Sequence, residues 1–273
     1  MNAPAEKTSD TERRAGQPVV RLVNLHKRFG NLIVLDGINL DLLEGQTTVI
    51  IGESGSGKSV LLNHMVRLIK PDKGEVYFRG QRIDTLPDRD LAEIRPRFGY
   101  LFQLSALFDS MTVGQNVAFP VREHTRNSRK QTDRIVKEKL SMVGLDGIQN
   151  KAIAELSGGQ KKRVALARAI ALNPEMILYD EPTTGLDPPR SDEINELIIK
   201  LKRELSVTSV VVTHDMASAR KVADRIVMLF RGKLIFDGTP ESIENVQDLR
   251  VDNFVHGKCG QDVLRTFQSK EKV

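Results

Sequence analysis

The fold is decided by residues 52–59, which read Gly52-Glu53-Ser54-Gly55-Ser56-Gly57-Lys58-Ser59. This stretch fits the pattern G-x-x-x-x-G-K-[ST] of a phosphate-binding loop. An apolar run at 47–51 precedes it and an apolar-periodic stretch from Lys58 to Ile69 follows, which predicts a strand, a loop and a helix in that order. A glycine-rich turn without function is the alternative. The position between strand and helix favours phosphate binding, because backbone N–H groups and the helix dipole then meet the phosphate.

The chemistry expected of this loop requires a lysine, a hydroxyl and an acidic partner. The Lys58 ammonium is predicted to reach the β- and γ-phosphates, and the Ser59 hydroxyl to bind Mg²⁺. The apolar run at 176–179 ends in Asp180 and Glu181. Asp180 is expected to hold Mg²⁺, directly or through water. Glu181 points to the other side of the strand and is expected to act as general base on the attacking water.

The remaining pattern predicts an α/β fold. Alternating apolar and polar residues at 19–43 are typical of half-buried antiparallel strands. Between residues 111 and 158 helical signals dominate, notably from Arg134 to Val143, and two αβ units follow. A final strand pair meets at Arg231-Gly232, which predicts a tight hairpin. We therefore expect a mixed sheet with flanking helices, an antiparallel β subdomain and a helical subdomain.

Length and composition restrict the class of protein. The chain has 273 residues, of which 40% are hydrophobic and 28% charged, as in ordinary globular domains. No apolar run approaches the roughly 20 residues that cross a bilayer. Residues 1–18 are polar and charged, so we expect a disordered lead-in rather than a signal peptide, and a chain that stays in the cytosol. The one cysteine agrees with a reducing compartment.

The formal net charge of +5 raises nucleic acid or an anionic membrane surface as possible partners. Basic residues are mostly interleaved with acids, which is typical of solvated helix faces, so we expect no nucleic-acid partner. The main local excess of positive charge, at 122–130, suits phospholipid head groups or other phosphates.

A second motif opens the helix predicted at 161–172. It reads Leu156-Ser157-Gly158-Gly159-Gln160, with Ser157 suited to the N-cap and two glycines that allow a phosphate to approach the backbone. An ordinary capped helix is the alternative reading. However, the motif resembles LSGGQ, the signature of the ABC ATPase family.

The resemblance extends to four further positions. Gln103, after the strand predicted at 98–102, matches the glutamine that contacts the metal site and senses the transport partner. Asp187 matches the D-loop, and His214 matches the switch histidine at the γ-phosphate. Phe29 matches the aromatic residue that stacks on adenine, where many members have tyrosine. The motifs and the resemblance together predict catalytic roles for Lys58, Gln103, Glu181 and His214. They predict metal contacts for Ser59, Gln103 and Asp180. The predicted nucleotide contacts are Phe29, Gly52, Glu53, Ser54, Gly55, Ser56, Gly57, Lys58, Ser59, Val60, Ser157, Gly158, Gly159, Gln160 and Asp187.

The resemblance covers residues 19–240, with a helical subdomain at about 104–160 and a C-terminal extension at 241–273. It implies an active ATPase that uses ATP and Mg²⁺. In the family, the signature of one domain completes the ATP site on another. Because this chain carries one set of motifs, the resemblance implies pairing with a second copy of itself.

A stretch after Gln103 is similar to the Mla and Mce group of lipid-transporting ABC ATPases. The similarity lies in residues 101–113, in Asn116-Val117-Ala118-Phe119-Pro120 and in Arg122-Glu123-His124-Thr125. Gln160 departs from this group, in which many members carry methionine. The similarity implies a peripheral position on the cytoplasmic face of the inner membrane, an integral-membrane permease and an MCE-domain lipid-binding protein, and it leaves open a small regulatory subunit. The alternatives are the ATPase of an amino-acid or metal-chelate importer, or a soluble ABC ATPase acting on the ribosome or DNA.

The segment from Leu101 to Thr125 is also predicted to form the surface on which the permease docks. Its apolar residues are too dense for one buried helical stripe, so some are expected to remain exposed for a partner.

Overall fold

The computed structural model describes residues 18–258. Their secondary structure alternates between strands and helices in the order expected of an α/β protein. The strands are β1 Pro18–Phe29, β2 Leu32–Leu43, β3 Thr47–Ile51, β4 Lys73–Phe78, β5 Gln81–Arg82, β6 Phe98–Leu101, β7 Met176–Asp180, β8 Thr208–Thr213, β9 Arg225–Phe230 and β10 Lys233–Gly238. The α-helices are α1 Lys58–Met65, α2 Asp88–Ile94, α3 Val113–His124, α4 Arg129–Met142, α5 Gly158–Ala169, α6 Pro188–Leu205, α7 Met216–Val222 and α8 Leu249–Val255.

The larger sheet has six strands in the order β10-β9-β3-β8-β7-β6. All neighbours are parallel except the antiparallel pair β9 and β10. Both faces of the sheet are buried, and alternate residues of each central strand enter different cores. In β3, Val49 and Ile51 pack with the helical layer, whereas Ile50 packs toward the second sheet. Burial on both faces explains why the central strands are continuous apolar runs.

The smaller sheet is antiparallel, with the order β2-β1-β4-β5, and it confirms the strands predicted at 19–43. The hairpin predicted at the end of the chain is also present. Arg231 and Gly232 form its two-residue turn between β9 and β10, with φ values of 45° and 79°. Positive φ at both positions is the requirement of a type I′ turn, which matches the twist of the flanking strands.

Helix ends follow side-chain caps, which explains where the predicted bounds were wrong. Ser128 and Gln131 form a reciprocal capping box, so α4 begins five residues before the predicted Arg134. Ser157 and Gln160 cap α5 in the same way, which confirms Ser157 as the predicted N-cap, although α5 spans 158–169 rather than 161–172. Helix α1 ends at Met65 rather than at Ile69, since Arg67 adopts a left-handed conformation.

The described part of the C-terminal extension packs on the main body. Ile243, in a short 3₁₀ turn, and Val251 and Val255, in α8, are buried in the main core cluster. Apart from Pro18, which begins β1, the predicted lead-in lies outside the described residues, as does Cys259. The domain boundaries stay predictions. Between residues 18 and 258, no helix is long and apolar enough to cross a bilayer.

Candidate functional site

Four parallel strands of the larger sheet end at one edge, and each is followed by a predicted site residue. β3 leads into Gly52, β6 into Gln103, β7 into Glu181 and β8 into His214. Carboxyl ends of parallel strands point the same way, and the loops beyond them are where such sheets bind ligands. The sheet order therefore gathers residues that are up to 162 positions apart in the sequence.

The loop between β3 and α1 needs glycine at two positions for different reasons. Gly57 has φ 102°, and a Cβ there would lie 2.7 Å from Val34 Cγ1. A Cβ on Gly52 would lie 2.3 Å from the carbonyl oxygen of Leu229. Ser56 Oγ is buried in this loop without a hydrogen-bond partner. A tight backbone cradle with an unsatisfied hydroxyl at the start of a helix suits phosphate oxygens, so the residues fit the phosphates of a nucleotide.

The Lys58 side chain is folded back over this loop and is only 6% exposed. Its ammonium donates to the carbonyl oxygens of Gly52 at 2.8 Å and Glu53 at 3.0 Å, and it lies 3.6 Å from Glu181 Oε1. Burial lowers the pKa of the ammonium, and the Glu181 carboxylate opposes part of that shift. A buried cation held at a phosphate cradle is suited to contact anionic phosphate oxygens.

Two of the three residues predicted to contact Mg²⁺, Ser59 and Asp180, lie in direct contact. Ser59 Oγ donates a 2.7 Å hydrogen bond to Asp180 Oδ1. Asp180 is 7% exposed, and burial raises the pKa of its carboxyl group although the Ser59 hydroxyl opposes the shift. One carboxylate and one hydroxyl beside a phosphate cradle fit Mg²⁺, which commonly takes one or two protein ligands together with substrate phosphates.

The Glu181 carboxylate is held from several directions. Its Oε2 accepts from His214 Nδ1 at 2.9 Å and from Thr184 Oγ1 at 3.1 Å. Because a carboxylate only accepts hydrogen bonds, Nδ1 of His214 carries the hydrogen. The other ring nitrogen, Nε2, lies on the far side of the imidazole and faces away from Glu181. Strand alternation predicts that Glu181 and Asp180 point to opposite sides of one strand. However, β7 ends at Asp180, and Glu181 takes a left-handed conformation with φ 48°. That backbone turn separates the directions of the two carboxylates.

The other predicted residues remain apart from this cluster. Within residues 18–258, no hydrogen bond or ion pair joins the side chains of Gln103, Ser157 or Asp187 to Lys58, Asp180 or Glu181. Ser157 and Asp187 are exposed N-caps of α5 and α6. Phe29 is 48% exposed, with the Lys27 ammonium 5.4 Å from its ring centroid. These exposed groups are available to a nucleotide or to a second chain.

Two residues that the sequence analysis does not assign contact the site. Thr184 donates to the Glu181 carboxylate, and Lys162 donates to the backbone carbonyls of Gln103 and Glu181. Arg168, also unassigned, donates to the backbone carbonyls of Ser105 and Ala106 in the loop after Gln103. Lys162 could have been found, because it lies on the buried face of α5 together with Ala165 and Leu166. A lysine on an apolar helix face requires a partner.

Together, the phosphate cradle, the buried lysine and the carboxylates at the end of the neighbouring strand define a nucleotide-hydrolysing P-loop protein. The chain belongs to the ABC transporter family, whose model matches residues 35–184. Within that family it is the subunit that binds and hydrolyses ATP. The predicted α/β fold class and the predicted ATPase activity are therefore confirmed.

The relatives include transport ATPases. The chain is 40% identical over 257 residues to the intermembrane phospholipid transport system ATP-binding protein MlaF of Haemophilus influenzae, covering 94% of this chain and 97% of that protein. It is 40% identical to a probable ribonucleotide transport ATP-binding protein, mkl, of Mycobacterium leprae, covering 88% of this chain and 69% of that protein. A dimeric ATP-binding cassette solved in a post-hydrolysis state with ADP and phosphate superposes with a TM-score of 0.75 at 38% identity, covering 81% of this chain and 98% of that chain.

The raised pKa of Asp180 means that its ionised carboxylate lowers the free energy of unfolding when the site holds no ligand, which is a cost in stability. Below the ordinary pKa of 3.8 the carboxyl group is neutral and the cost is absent, and the cost grows as pH rises through the raised folded-state pKa. Asp180→Asn should therefore raise the melting temperature of the protein at pH 7 without nucleotide or Mg²⁺. The gain in melting temperature of Asp180→Asn over wild type should shrink as the pH is lowered from the raised folded-state pKa toward 3.8.

Asp187→Asn is the matched control, because Asp187 is an exposed N-cap at which asparagine serves equally well. Thermal unfolding followed by circular dichroism compares the variants. A lower melting temperature for Asp180→Asn than for Asp187→Asn at pH 7 would contradict the argument.

Proposed function

We propose that this chain hydrolyses Mg²⁺-ATP at the carboxyl edge of the larger sheet and thereby drives transport through a membrane permease. The observation that carries the proposal is the contact of Ser59 with Asp180 beside the Lys58–Glu181 pair. Lys58 would turn from Glu181 to the β- and γ-phosphates, and Ser59, Asp180 and Gln103 would hold Mg²⁺. Bound Mg²⁺ supplies charge neutralisation at the phosphates.

Glu181 is the proposed general base. Its carboxylate is oriented by His214 and Thr184, and its position next to Lys58 puts it near the phosphate to be cleaved. His214 has a second proposed role, because its Nε2 is left to face the γ-phosphate while Nδ1 is bonded to Glu181. The base and the γ-phosphate contact are thereby linked through one imidazole.

The exposed signature supports a site completed by a second copy of the chain. Ser157 and Gly158 are exposed at the start of α5, and Asp187 is exposed at the start of α6. None of these three contacts the Lys58 cradle of the same chain, although the family signature is an ATP contact. We therefore propose that they contact ATP held by the partner in a homodimer, as the dimeric state of the similar cassette also favours.

The composite site predicts that binding and pairing respond to different substitutions. Ser157→Arg should leave ATP binding by the monomer nearly unchanged but block ATP-dependent dimerisation and hydrolysis. Lys58→Ala should weaken ATP binding itself by removing the buried ammonium. Fluorescent-nucleotide titration and light scattering separate the two effects. Equal loss of monomer binding in both variants would contradict the shared site.

An apolar groove adjoins the Gln103 loop and suits a permease. It encloses about 460 Å³, and its lining includes Phe102, Ala106, Phe108, Phe119 and Pro120. Phe102 stacks on Tyr100 at 4.1 Å between ring centroids, and Phe108 packs on Phe119 at 4.9 Å. The aromatic rings are nevertheless partly exposed, at 37% for Phe102 and 40% for Phe108. A preformed aromatic groove of this kind accepts an apolar helix from a partner.

The segment Leu101 to Thr125 is divided between core and surface. Val113, Val117 and Val121 are fully buried, while Leu104 is 90% exposed. We propose that the exposed part docks the permease, with Gln103 at the boundary between groove and ATP site. The exposed basic residues at 122–130 would then lie next to the same groove, on the side that His124 lines.

We further propose a lipid, of the phospholipid type, as the transported substrate. The support is the near full-length similarity to the Haemophilus protein and the likeness of residues 101–125 to the Mla and Mce group. The proposal places the chain peripherally on the cytoplasmic face of the inner membrane, with an MCE-domain protein beyond the permease. An amino-acid or metal-chelate importer is the second candidate, because the groove alone does not distinguish the permeases.

Negative charge on the proposed docking surface, at Phe108 in the groove and at the exposed Leu104 outside its lining, should separate docking from ATP binding. Leu104→Glu and Phe108→Glu are expected to abolish co-purification with the permease from detergent-solubilised membranes, because a carboxylate would be desolvated at the interface. Both variants should stay folded and bind ATP. Leu249→Glu is the control, since Leu249 is 67% exposed on α8.

Each outcome tests a separate part of the proposal. Retention of the permease by both Leu104→Glu and Phe108→Glu would overturn the proposed docking surface. Capture of an amino-acid permease by the wild-type chain, without an MCE-domain protein or phospholipid, would overturn lipid transport and leave the ATPase assignment intact.

A further inference from the structure

Lys162 is a buried ammonium group outside the predicted site. It lies on the second turn of α5, and the residue is 5% exposed. Its Nζ donates to the backbone carbonyl oxygens of Gln103 at 2.5 Å and Glu181 at 3.3 Å. A lysine is almost never fully buried without partners, because desolvation of the charge is costly. Here the partners are the carbonyls of two residues proposed to act on ATP.

Arg168 makes a second attachment from the same helix. Its guanidinium donates to the carbonyl oxygens of Ser105 at 2.8 Å and Ala106 at 2.7 Å. Both of these residues have left-handed backbones, with φ values of 65° and 46°. Left-handed conformations of residues other than glycine are strained and persist where surrounding contacts hold them. Arg168 supplies such contacts to the loop that follows Gln103.

The geometry of α5 connects these attachments to the signature. Ser157 caps the helix, Lys162 lies five residues later and Arg168 six residues after that. At a rise of 1.5 Å per residue, the three positions span roughly 17 Å along one rigid element. One helix therefore carries both the signature and the side chains that hold the carbonyls of Gln103, Glu181, Ser105 and Ala106.

We propose that Lys162 and Arg168 form a clamp that positions Gln103 and Glu181 for hydrolysis and couples them to the signature helix. Lys162 is a positioning residue, because it contacts the backbone of both site residues and neither of their side chains. The clamp fixes the end of β6 relative to the end of β7, and these are the points from which Gln103 and Glu181 extend. The inference rests on the proposed roles of these two residues.

A purely structural lysine would have different consequences. If Lys162 only fills the core, its replacement by an apolar residue of similar length should change stability without a selective effect on turnover. If Lys162 positions Glu181, turnover should fall while ATP affinity is kept. The reason is that Lys162 donates to the backbone carbonyls of Gln103 and Glu181, whereas other residues form the phosphate cradle. Misplacement of a reacting group by about 1 Å can cost about 10²-fold in rate.

The test compares Lys162→Met, which removes the donors at similar length, with Lys162→Arg, which keeps the charge and the donors. Lys161→Met is the matched control, since Lys161 is the neighbouring lysine on α5 and is half-buried. ATPase kinetics of the full chain in its membrane complex give kcat and KM, and fluorescent-nucleotide titration gives ATP affinity. Hydrogen–deuterium exchange reports the backbone of residues 102–108.

We expect Lys162→Met to lower kcat about tenfold or more, with KM and ATP affinity within about threefold of wild type. Exchange in residues 102–108 should rise in this variant, and Lys162→Arg should restore most of the turnover. Lys161→Met should behave as wild type. Equal kcat for Lys162→Met and Lys161→Met would overturn the clamp, as would a parallel loss of ATP affinity.

Two further variants keep the test decisive. Lys162→Leu also removes the donors, so it replaces Lys162→Met if that variant does not fold; a folded Lys162→Leu with normal kcat would overturn the clamp. Glu181→Gln separates the two levels of the argument. Normal turnover in Glu181→Gln would mean that the proposed base is wrong, whereas loss of turnover there with normal turnover in Lys162→Met would contradict the clamp alone.

Discussion

Two buried carboxylates and two buried ammonium groups share one edge of the larger sheet, and the rest of the site depends on their mutual compensation. Asp180 and Glu181 are each 7% exposed, and Lys58 and Lys162 are 6% and 5% exposed. Charges at this depth are costly unless they are paired or hydrogen-bonded. The fold tolerates them because Lys58 pairs with Glu181, Ser59 donates to Asp180, and both ammonium groups donate to backbone carbonyls at the ends of the strands. The site is therefore a place where the fold gives up stability and gains a position for phosphate, metal and water.

Much of the fold could be predicted because its signals are local. The glycines, Lys58 and Ser59 form a contiguous motif, and the apolar runs of β3, β7 and β8 show strands buried on both faces. The hairpin at Arg231-Gly232 follows from turn chemistry alone. Helix ends were less accurate where a capping box extended the helix, as with Ser128 and Gln131.

Contacts between distant segments could not be predicted in this way. The carbonyls of Gln103 and Glu181 meet Lys162 only because β6 and β7 are neighbours and α5 packs beside them. The direction of Glu181 was attributed to strand alternation, but it depends on a left-handed backbone that no residue pattern announces. The exposure of Leu104 likewise could not be predicted, since the density of apolar residues does not say which of them are buried.

Glu181 is proposed to activate water at a site whose ATP binding depends on other residues. The most direct measurement is the turnover and the ATP affinity of Glu181→Gln in the full chain within its membrane complex, because this change keeps the shape of the side chain and removes its basicity. ATP binding should be unchanged, and turnover should fall by roughly 10² or more. Turnover near that of the wild type would show that Glu181 is not the general base.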